Sequence, residues 1–359
     1  MADMFDYLSW RGDIRFAQLP INPVDALIFS TLSYIQFQNI VPETSKQWIR
    51  LKDAAEILFA AENPEALCRV PQDAELLHAA AKTARFGNVG MTLYRDILVP
   101  EEETQFAAVT FIMDDGTVYI AFRGTDHSLA GWKEDFNMSF REQIPAQRLA
   151  LEYLRDFTAV SRAPIWIGGH SKGGNLAVYS AAKSDHLVRS RIIEIFNQDG
   201  PGFSEAMMSD PGYRAILPKI RTFVPQSSVI GMLLEHEEPY TVIKSSQAGL
   251  MQHDPYSWEV LGANFILLDE LTDNSLFLDK TFKNWLAGMS SEDRSAFFDT
   301  VFDLLGAGGA DQVQELLHPD SVRSILRSLK SDEKSRHILS SELRSLLTAA
   351  KEAYQSREM

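Results

Sequence analysis

One stretch, residues 163–183, limits the possible folds of this chain more than any other. It reads APIWIGGHSKGGNLAVYSAAK, which is an apolar run, a turn with four glycines and a helix-forming run. An apolar, β-branched and aromatic run that ends at glycine predicts a buried strand. A strand that leads through a tight turn into a helix is the repeating unit of parallel sheets covered by helices. The stretch therefore predicts an α/β protein.

The turn itself has the pattern G-x-S-x-G, at Gly169-His170-Ser171-Lys172-Gly173. Small residues two before and two after the serine permit a sharp, strained turn in which strand and helix approach closely. Such a turn would present the Ser171 hydroxyl at the carboxyl edge of the sheet, where the Lys172 amide could donate to an oxyanion. The alternative is a glycine-rich turn that binds phosphate or nothing.

The remaining chain supports a mostly parallel sheet with helices on both faces. Residues 107–113 and 117–122 are joined by the sequence DDG and predict an antiparallel hairpin on the early side of this sheet. Further strands are predicted at 165–167, 191–197, 220–224 and 240–244, and residues 264–270 form either a strand or the start of a helix. The first hundred residues are predicted to be helical, with helices at 23–37, 45–59 and 74–85, and a later helix at 146–160.

From residue 273 onward the pattern is helical again, so we place a domain boundary near 272. Residues 1–272 would form the sheet domain, with its N-terminal helical elements at about 1–100, and residues 273–359 a C-terminal helical region. This region carries a group of basic residues: Arg323, Arg327, Lys330, Lys334 and Arg336. They indicate either solvated helix faces or a surface for a partner or phospholipid headgroups.

Composition excludes several classes of protein. The net charge of −15 argues against general nucleic-acid binding, which requires a basic surface. A single cysteine, Cys68, allows no internal disulfide, and no zinc-type spacing is present. We expect no metal and no organic cofactor, because attack by an activated serine needs neither. The start of the chain lacks the pattern of a secretory signal, and the longest apolar stretch, residues 26–37, is too short and too polar to span a membrane. We therefore expect a cytoplasmic protein without a transmembrane segment.

A nucleophilic serine needs a base, and eight histidines are available. In hydrolases with this turn the order along the chain is serine, acid, histidine. His253 follows the last clear strand and is predicted to lie in a loop, so it is the candidate base. His170 lies inside the turn, where neighbouring side chains diverge, and His236, among glutamates, is predicted to lie in a solvated turn.

The acid that orients the histidine is less well determined by sequence. Asp199 is the first candidate because it follows the strand after the nucleophile helix, in NQDGPGF. Glu235, one strand further on, and Asp254, next to the candidate base, remain alternatives.

A second oxyanion donor should come from a loop after an earlier strand. The strand at 117–122 runs into Arg123-Gly124-Thr125, and the amide of Thr125, together with its hydroxyl, could face the developing charge. Arg123 serves either in a structural ion pair or as a substrate anchor.

Taken together, AFRGT, GWKEDF and GGHSKGGNLA resemble the class 3 lipases of the α/β-hydrolase fold, over roughly residues 105–255. The resemblance implies that Thr125 is the oxyanion residue, that residues 128–136 form a lid-like helix and that Ser171 is the nucleophile. With DYLSWRGD, DGPGF, EHEEPYTVIKSS and MQHDPYSW, the whole chain resembles an uncharacterised bacterial lipase-like family.

Two positions depart from the class 3 pattern. Lys172 replaces the usual leucine, which would favour anionic or polar substrates. Where the family's acid normally lies, after a later strand, this chain has Gln226, Ser227 and Ser228. Either Asp199 or Glu235 has taken over the role, or the triad is incomplete.

The expected activity is hydrolysis of a carboxylic ester through an acyl-enzyme, on an acylglycerol, a phospholipid or a small ester. Transient contact with a membrane surface would suit such substrates. Trp132 and Phe136 would cover an acyl pocket or pack in the core. The alternatives are an acyltransferase or amidase that uses the same site, and an inactive hydrolase-fold protein that binds a partner.

Overall fold

The structure, a computed structural model, describes residues 2–126, 128–306, 324–325, 327–329 and 332–355. The chain divides into two compact units. The first, here called the sheet unit, comprises Met1–Leu98, Phe106–Gly124 and Ala146–Leu271. The second, the helical unit, comprises Val99–Gln105, Thr125–Pro145 and Thr272–Met359. The helical unit thus includes the segment after residue 124 that was predicted to be lid-like.

The sheet unit is built on a nine-stranded sheet in the order β1-β2-β3-β4-β5-β6-β7-β8-β11, and β9 pairs separately with β10. The strands are β1 (Ile49–Arg50), β2 (Gly90–Val99), β3 (Thr104–Ile112), β4 (Val118–Phe122), β5 (Ile165–His170), β6 (Ile192–Gln198), β7 (Ile220–Pro225), β8 (Tyr240–Ile243), β9 (Val260–Leu261), β10 (Asn264–Phe265) and β11 (Leu267–Leu268). Strands β4 to β8 run parallel, whereas β3 pairs antiparallel with β4 and β11 antiparallel with β8. The predicted early hairpin is confirmed.

The helices are α1 (Met4–Arg11), α2 (Pro23–Leu32), α3 (Leu51–Phe59), α4 (Pro71–Ala81), α5 (Leu129–Asn137), α6 (Pro145–Val160), α7 (Lys172–Lys183), α8 (His186–Arg191), α9 (Glu205–Met208), α10 (Pro211–Ile216), α11 (Asp273–Ala287), α12 (Ser291–Gly306) and α13 (Glu333–Gln355). Alternation along β4 shows that helices cover both sheet faces, because residues of odd and even number point to opposite sides. Tyr119 stacks on Phe29 of α2, and Phe122 packs edge-on against Tyr153 of α6. The predicted mostly parallel sheet flanked by helices is confirmed.

A buried ion pair ties the N-terminal helices to this core. Arg85, fully buried, binds both carboxylate oxygens of Asp25 in α2, at 2.8 and 2.5 Å. Its remaining donors reach three backbone carbonyls of the segment that links α1 to α2, at Ile14, Leu19 and Pro20. A planar guanidinium suits this role because it carries five donors in a fixed geometry. One side chain therefore holds the N-terminal segment in place.

The structure corrects part of the helical prediction for the first hundred residues. Strand β2 lies between β1 and β3, and its first five residues are all buried, so it lacks the alternation that marks a half-exposed strand. The helix predicted at 45–59 begins only at Leu51, because Ile49 and Arg50 pair with β2. Part of the predicted C-terminal helical region, including Arg323 and Lys330 of the basic group, lies outside the described residues.

Within the helical unit, α13 packs on α11 and α12 around Trp285, Met289 and Ala349. Helix α5 also packs on α12, and Phe136 stacks on Phe298 with ring centroids 4.6 Å apart. This contact favours the packing role for Phe136 over the pocket role.

Candidate active site

The turn between β5 and α7 has the strained backbone expected of a nucleophile elbow. Ser171 has φ 59° and ψ −135°, an unfavourable region for a residue with a side chain. A Cβ at Gly169 would lie 2.4 Å from the carbonyl carbon of Gly173, and a Cβ at Gly173 would lie 2.1 Å from the carbonyl oxygen of Phe122. Both positions therefore require glycine, which is the physical reason for the G-x-S-x-G pattern.

The elbow is also held by its neighbours in the sheet unit. The Ser171 amide donates to the carbonyl of Gln198 at the end of β6, at 2.9 Å. A Cβ at Gly124 would lie 2.5 Å from the carbonyl oxygen of His170 and 3.0 Å from Cβ of Ser171. The backbone after β4 thus runs directly beside the serine, and the glycine of AFRGT permits this approach.

Asp199 and His253 are brought together although they follow different strands, β6 and β8. Asp199 follows β6 with a left-handed φ of 55°, and its amide donates to Phe223 of β7 at 2.8 Å. The His253 Nδ1 lies 2.6 Å from Asp199 Oδ2. The carboxylate is fully buried, whereas the imidazole is 27% exposed. Nδ1–H therefore donates to a shielded carboxylate, and this bond selects the tautomer with a basic Nε2.

His170 contacts the candidate base rather than acting as one. Its Nε2 lies 2.7 Å from the carbonyl oxygen of His253, and since a carbonyl only accepts, Nε2 carries the proton. Nδ1 then accepts from the hydroxyl of Tyr34 at 3.0 Å. Burial, and secondarily the neighbouring His253 and Arg69, hold the pKa of His170 well below its usual value. A neutral side chain thus connects the elbow to the loop of His253.

Further contacts fix the loop that carries His253. The indole of Trp258 donates to the carbonyl of Gln252 at 3.0 Å, and the Gln252 side chain accepts from the amide of Ser227 at 2.7 Å. The hydroxyl of Tyr256 donates to Asp73 of α4 at 2.7 Å. Sequence reasoning did not identify these supporting residues, since each pair is distant in the chain and no local pattern marks it.

The other candidate acids have different contacts. The Asp254 side chain caps a short turn at the amide of Tyr256 and accepts from Gln247. The backbone of Glu235 pairs with Phe203. The prediction that His236 lies in a solvated turn is wrong. Its side chain is only 6% exposed, and its Nδ1 lies 3.0 Å from Oε1 of Glu238.

The two predicted oxyanion residues belong to different units. Lys172 is the first residue of α7, where N–H groups point along the helix axis away from the helix, and its side chain is 1% exposed. This burial argues against the expected direct contact with an anionic substrate. Thr125 lies in the helical unit, and its hydroxyl donates to Asp135 of α5 at 2.5 Å. Arg123 forms a two-point ion pair with Asp96, which favours the structural reading over substrate anchoring.

Two observations concern ligands and membranes. Within the described ranges, no group of three or more histidine, cysteine, aspartate or glutamate side chains could hold a metal ion. In the same part of the chain, no helix combines the length and the apolar character that a bilayer crossing requires. The side chains of Trp132 and Phe136 are 43% and 37% exposed.

Comparison with known proteins adds a family. Among solved structures, a mutant form of MDLA from Penicillium cyclopium is 14% identical, with a TM-score of 0.40 over 68% of this chain and 83% of that one. A deletion mutant of the Rhizomucor miehei lipase propeptide complex is 15% identical, with a TM-score of 0.39 over 67% of this chain and 79% of that one. No curated protein matches the sequence. The sequence pattern of one protein family, described as Mbeg1-like, matches residues 80–303, which is more than half of the chain. The chain therefore belongs to the Mbeg1-like family, and its mostly parallel sheet flanked by helices fits the α/β-hydrolase fold.

Proposed function

We propose that this protein is a serine hydrolase that cleaves a carboxylic ester, with Ser171 as nucleophile, His253 as base and Asp199 as the orienting acid. The observation that carries the proposal is the 2.6 Å contact between His253 Nδ1 and Asp199 Oδ2, on a loop bonded to the residue before Ser171. A structural histidine would not need a buried carboxylate on one side and an exposed face on the other.

The chemistry follows from this arrangement. Nε2 of His253 takes the proton of the Ser171 hydroxyl as its oxygen attacks the ester carbonyl. The resulting imidazolium is stabilised by Asp199 and then protonates the leaving alcohol. Water attacks the acyl-enzyme in a second step, with His253 again as the base.

The oxyanion would be bound by the backbone amide of Lys172. The amide of Lys172 is supported by its place at the start of α7. The amide of Thr125 stays a prediction from the sequence, because this residue belongs to the helical unit and its hydroxyl already donates to Asp135. Neither the attack nor the hydrolysis of the acyl-enzyme requires a metal or an organic cofactor. We propose an acylglycerol, a phospholipid or a small ester as substrate.

The test is labelling with a fluorophosphonate, a reagent that reacts with activated serines, followed by intact mass and peptide mapping. The expected result is one adduct on Ser171 in the wild type, and none in Ser171→Ala or His253→Ala. Ser180→Ala is the matched control, because Ser180 is a buried serine of α7 whose hydroxyl donates to Ala177.

The same experiment decides between the alternatives. A folded wild type that gives no adduct, with or without liposomes, would refute the hydrolase proposal and favour a partner-binding protein. An adduct on Ser171 together with turnover that rises when an alcohol or amine acceptor is added would indicate acyl transfer instead of hydrolysis.

A further inference from the structure

The geometry points to Ser228 as a positioning residue for Asp199, an inference that rests on the function proposed above. Ser228 lies in the loop after β7 and is 2% exposed. Its Oγ lies 2.5 Å from Asp199 Oδ1, the carboxylate oxygen that does not contact His253. The carboxylate of Asp199 is therefore held from both sides.

The direction of each bond around Ser228 follows from the groups involved. The amide of Gly231 donates to Ser228 Oγ at 3.1 Å, so the hydroxyl accepts there. A carboxylate can only accept, so the single hydroxyl hydrogen of Ser228 goes to Asp199. The Gly231 amide, the Ser228 hydroxyl and the Asp199 carboxylate thus form a chain with one consistent direction.

This chain determines which carboxylate oxygen faces the base. Rotation of the Asp199 carboxylate would break the bond from Ser228, so Oδ2 stays directed at Nδ1 of His253. Gly231 closes the same pocket, since a Cβ there would lie 2.2 Å from Asp199 Oδ1. Hydrogen bonds to an ionised acceptor are the stronger kind, and this one lies in a buried setting.

A bond from Ser228 also draws charge from the carboxylate. Without it, Asp199 would hold the imidazolium of His253 more strongly in the free enzyme, so the acid limb of the pH–rate profile would move to higher pH. A residue that only stabilises the loop would instead change the amount of active enzyme without moving this limb.

The experiment measures kcat, KM and the pH profile with a p-nitrophenyl ester, normalised to active sites titrated with a fluorophosphonate. We expect Ser228→Ala to lose about ten-fold in kcat with little change in KM and to shift the acid limb upward. Ser228→Cys has a side chain of similar shape whose thiol is a weaker donor than the hydroxyl. Its kcat and the position of its acid limb should lie between those of Ser228→Ala and the wild type. Ser30→Ala is the matched control, because it also removes a buried hydroxyl: Ser30 lies in α2, and its hydroxyl is hydrogen-bonded to that of Tyr119 in β4.

Two results would overturn the inference. One is a Ser228→Ala enzyme with wild-type kcat and pH profile per active site. The other is a loss of active sites without a shift of the acid limb, which would assign Ser228 to the structure of the loop. If Ser228→Ala does not fold, a wild-type profile for Ser228→Cys is equally decisive. A wild type that cannot be titrated at all would refute the proposed function instead, so the two failures are distinguishable.

Discussion

The sheet unit contains two histidine–carboxylate pairs that differ in how far the imidazole is exposed to solvent. The pair His253–Asp199 and the pair His236–Glu238 both join Nδ1 to a buried carboxylate, at 2.6 and 3.0 Å. The His253 side chain is 27% exposed, whereas that of His236 is 6% exposed and its Nε2 is buried. The proposed base His253 thus combines a carboxylate partner with an accessible second ring nitrogen, whereas His236 has only the carboxylate partner.

The carboxylates differ as well. Glu238 accepts from Tyr213 at 2.6 Å and from Thr222 at 2.8 Å, in addition to His236. Although burial acts in the opposite direction, these donors, His236 foremost, lower the pKa of Glu238 to about 2. Through Tyr213 and Thr222, Glu238 links α10 to β7, which favours a structural role. Asp199 instead contacts a histidine side chain that is partly exposed to solvent.

The strongest test of this comparison is Asp199→Asn. The amide would favour the wrong tautomer of His253, so we expect kcat to fall about 10³–10⁴-fold, as in other triads of this kind, while the fold is retained. Burst kinetics and circular dichroism would measure the two effects. Activity close to wild type would remove Asp199 from the mechanism and make the two pairs equivalent.

The reciprocal change, Glu238→Gln, should act on stability and not on chemistry. The buried carboxylate accepts three hydrogen bonds that the amide of Gln cannot all accept, and a buried donor left unsatisfied costs about 1–3 kcal/mol, so we expect a lower urea midpoint at pH 7 with unchanged kcat per titrated active site. A large loss of kcat per active site would contradict the structural role.

The pH dependence of that stability loss follows from the pKa of Glu238. The folded-state pKa of about 2 lies below the ordinary value of 4.5, so the ionised side chain stabilises the fold above pH 4.5, and this stabilisation is lost as the pH falls towards 2. The difference in unfolding free energy between wild type and Glu238→Gln should therefore shrink over that interval in urea titrations. A constant difference would show that the charge of Glu238 is not the cause.

The smallest effect is expected for His170→Phe, which tests whether the loop that carries His253 needs the hydrogen bond from His170. Phenylalanine keeps an aromatic ring at this position but cannot donate to the His253 carbonyl, so we expect about a ten-fold drop in kcat. Because His170 is neutral, no shift of the pH profile should accompany the drop, in contrast to Ser228→Ala. Tyr34→Phe, which removes the hydroxyl that bonds Nδ1 and the carbonyl oxygen of His170, serves as the comparison variant.

The sequence by itself determined the features that depend on neighbouring residues. The G-x-S-x-G turn between an apolar run and a helical run identified the elbow, since glycine, β-branched and helix-forming residues act over a few positions. The hairpin and the parallel strands were predictable for the same reason. Strand β2 was missed because its first five residues are all buried, which removes the alternation that marks a half-exposed strand.

Only the tertiary structure decided which polar groups meet at the carboxyl ends of the strands. Asp199, Glu235 and Asp254 were all compatible with the sequence, and the geometry brings Asp199 to His253 because β6, β7 and β8 lie side by side. The contacts of Ser228 and His170 join segments 29 and 83 residues apart. Such pairings depend on strand order and loop paths, which are properties of the whole sheet and leave no signal in a local stretch of sequence.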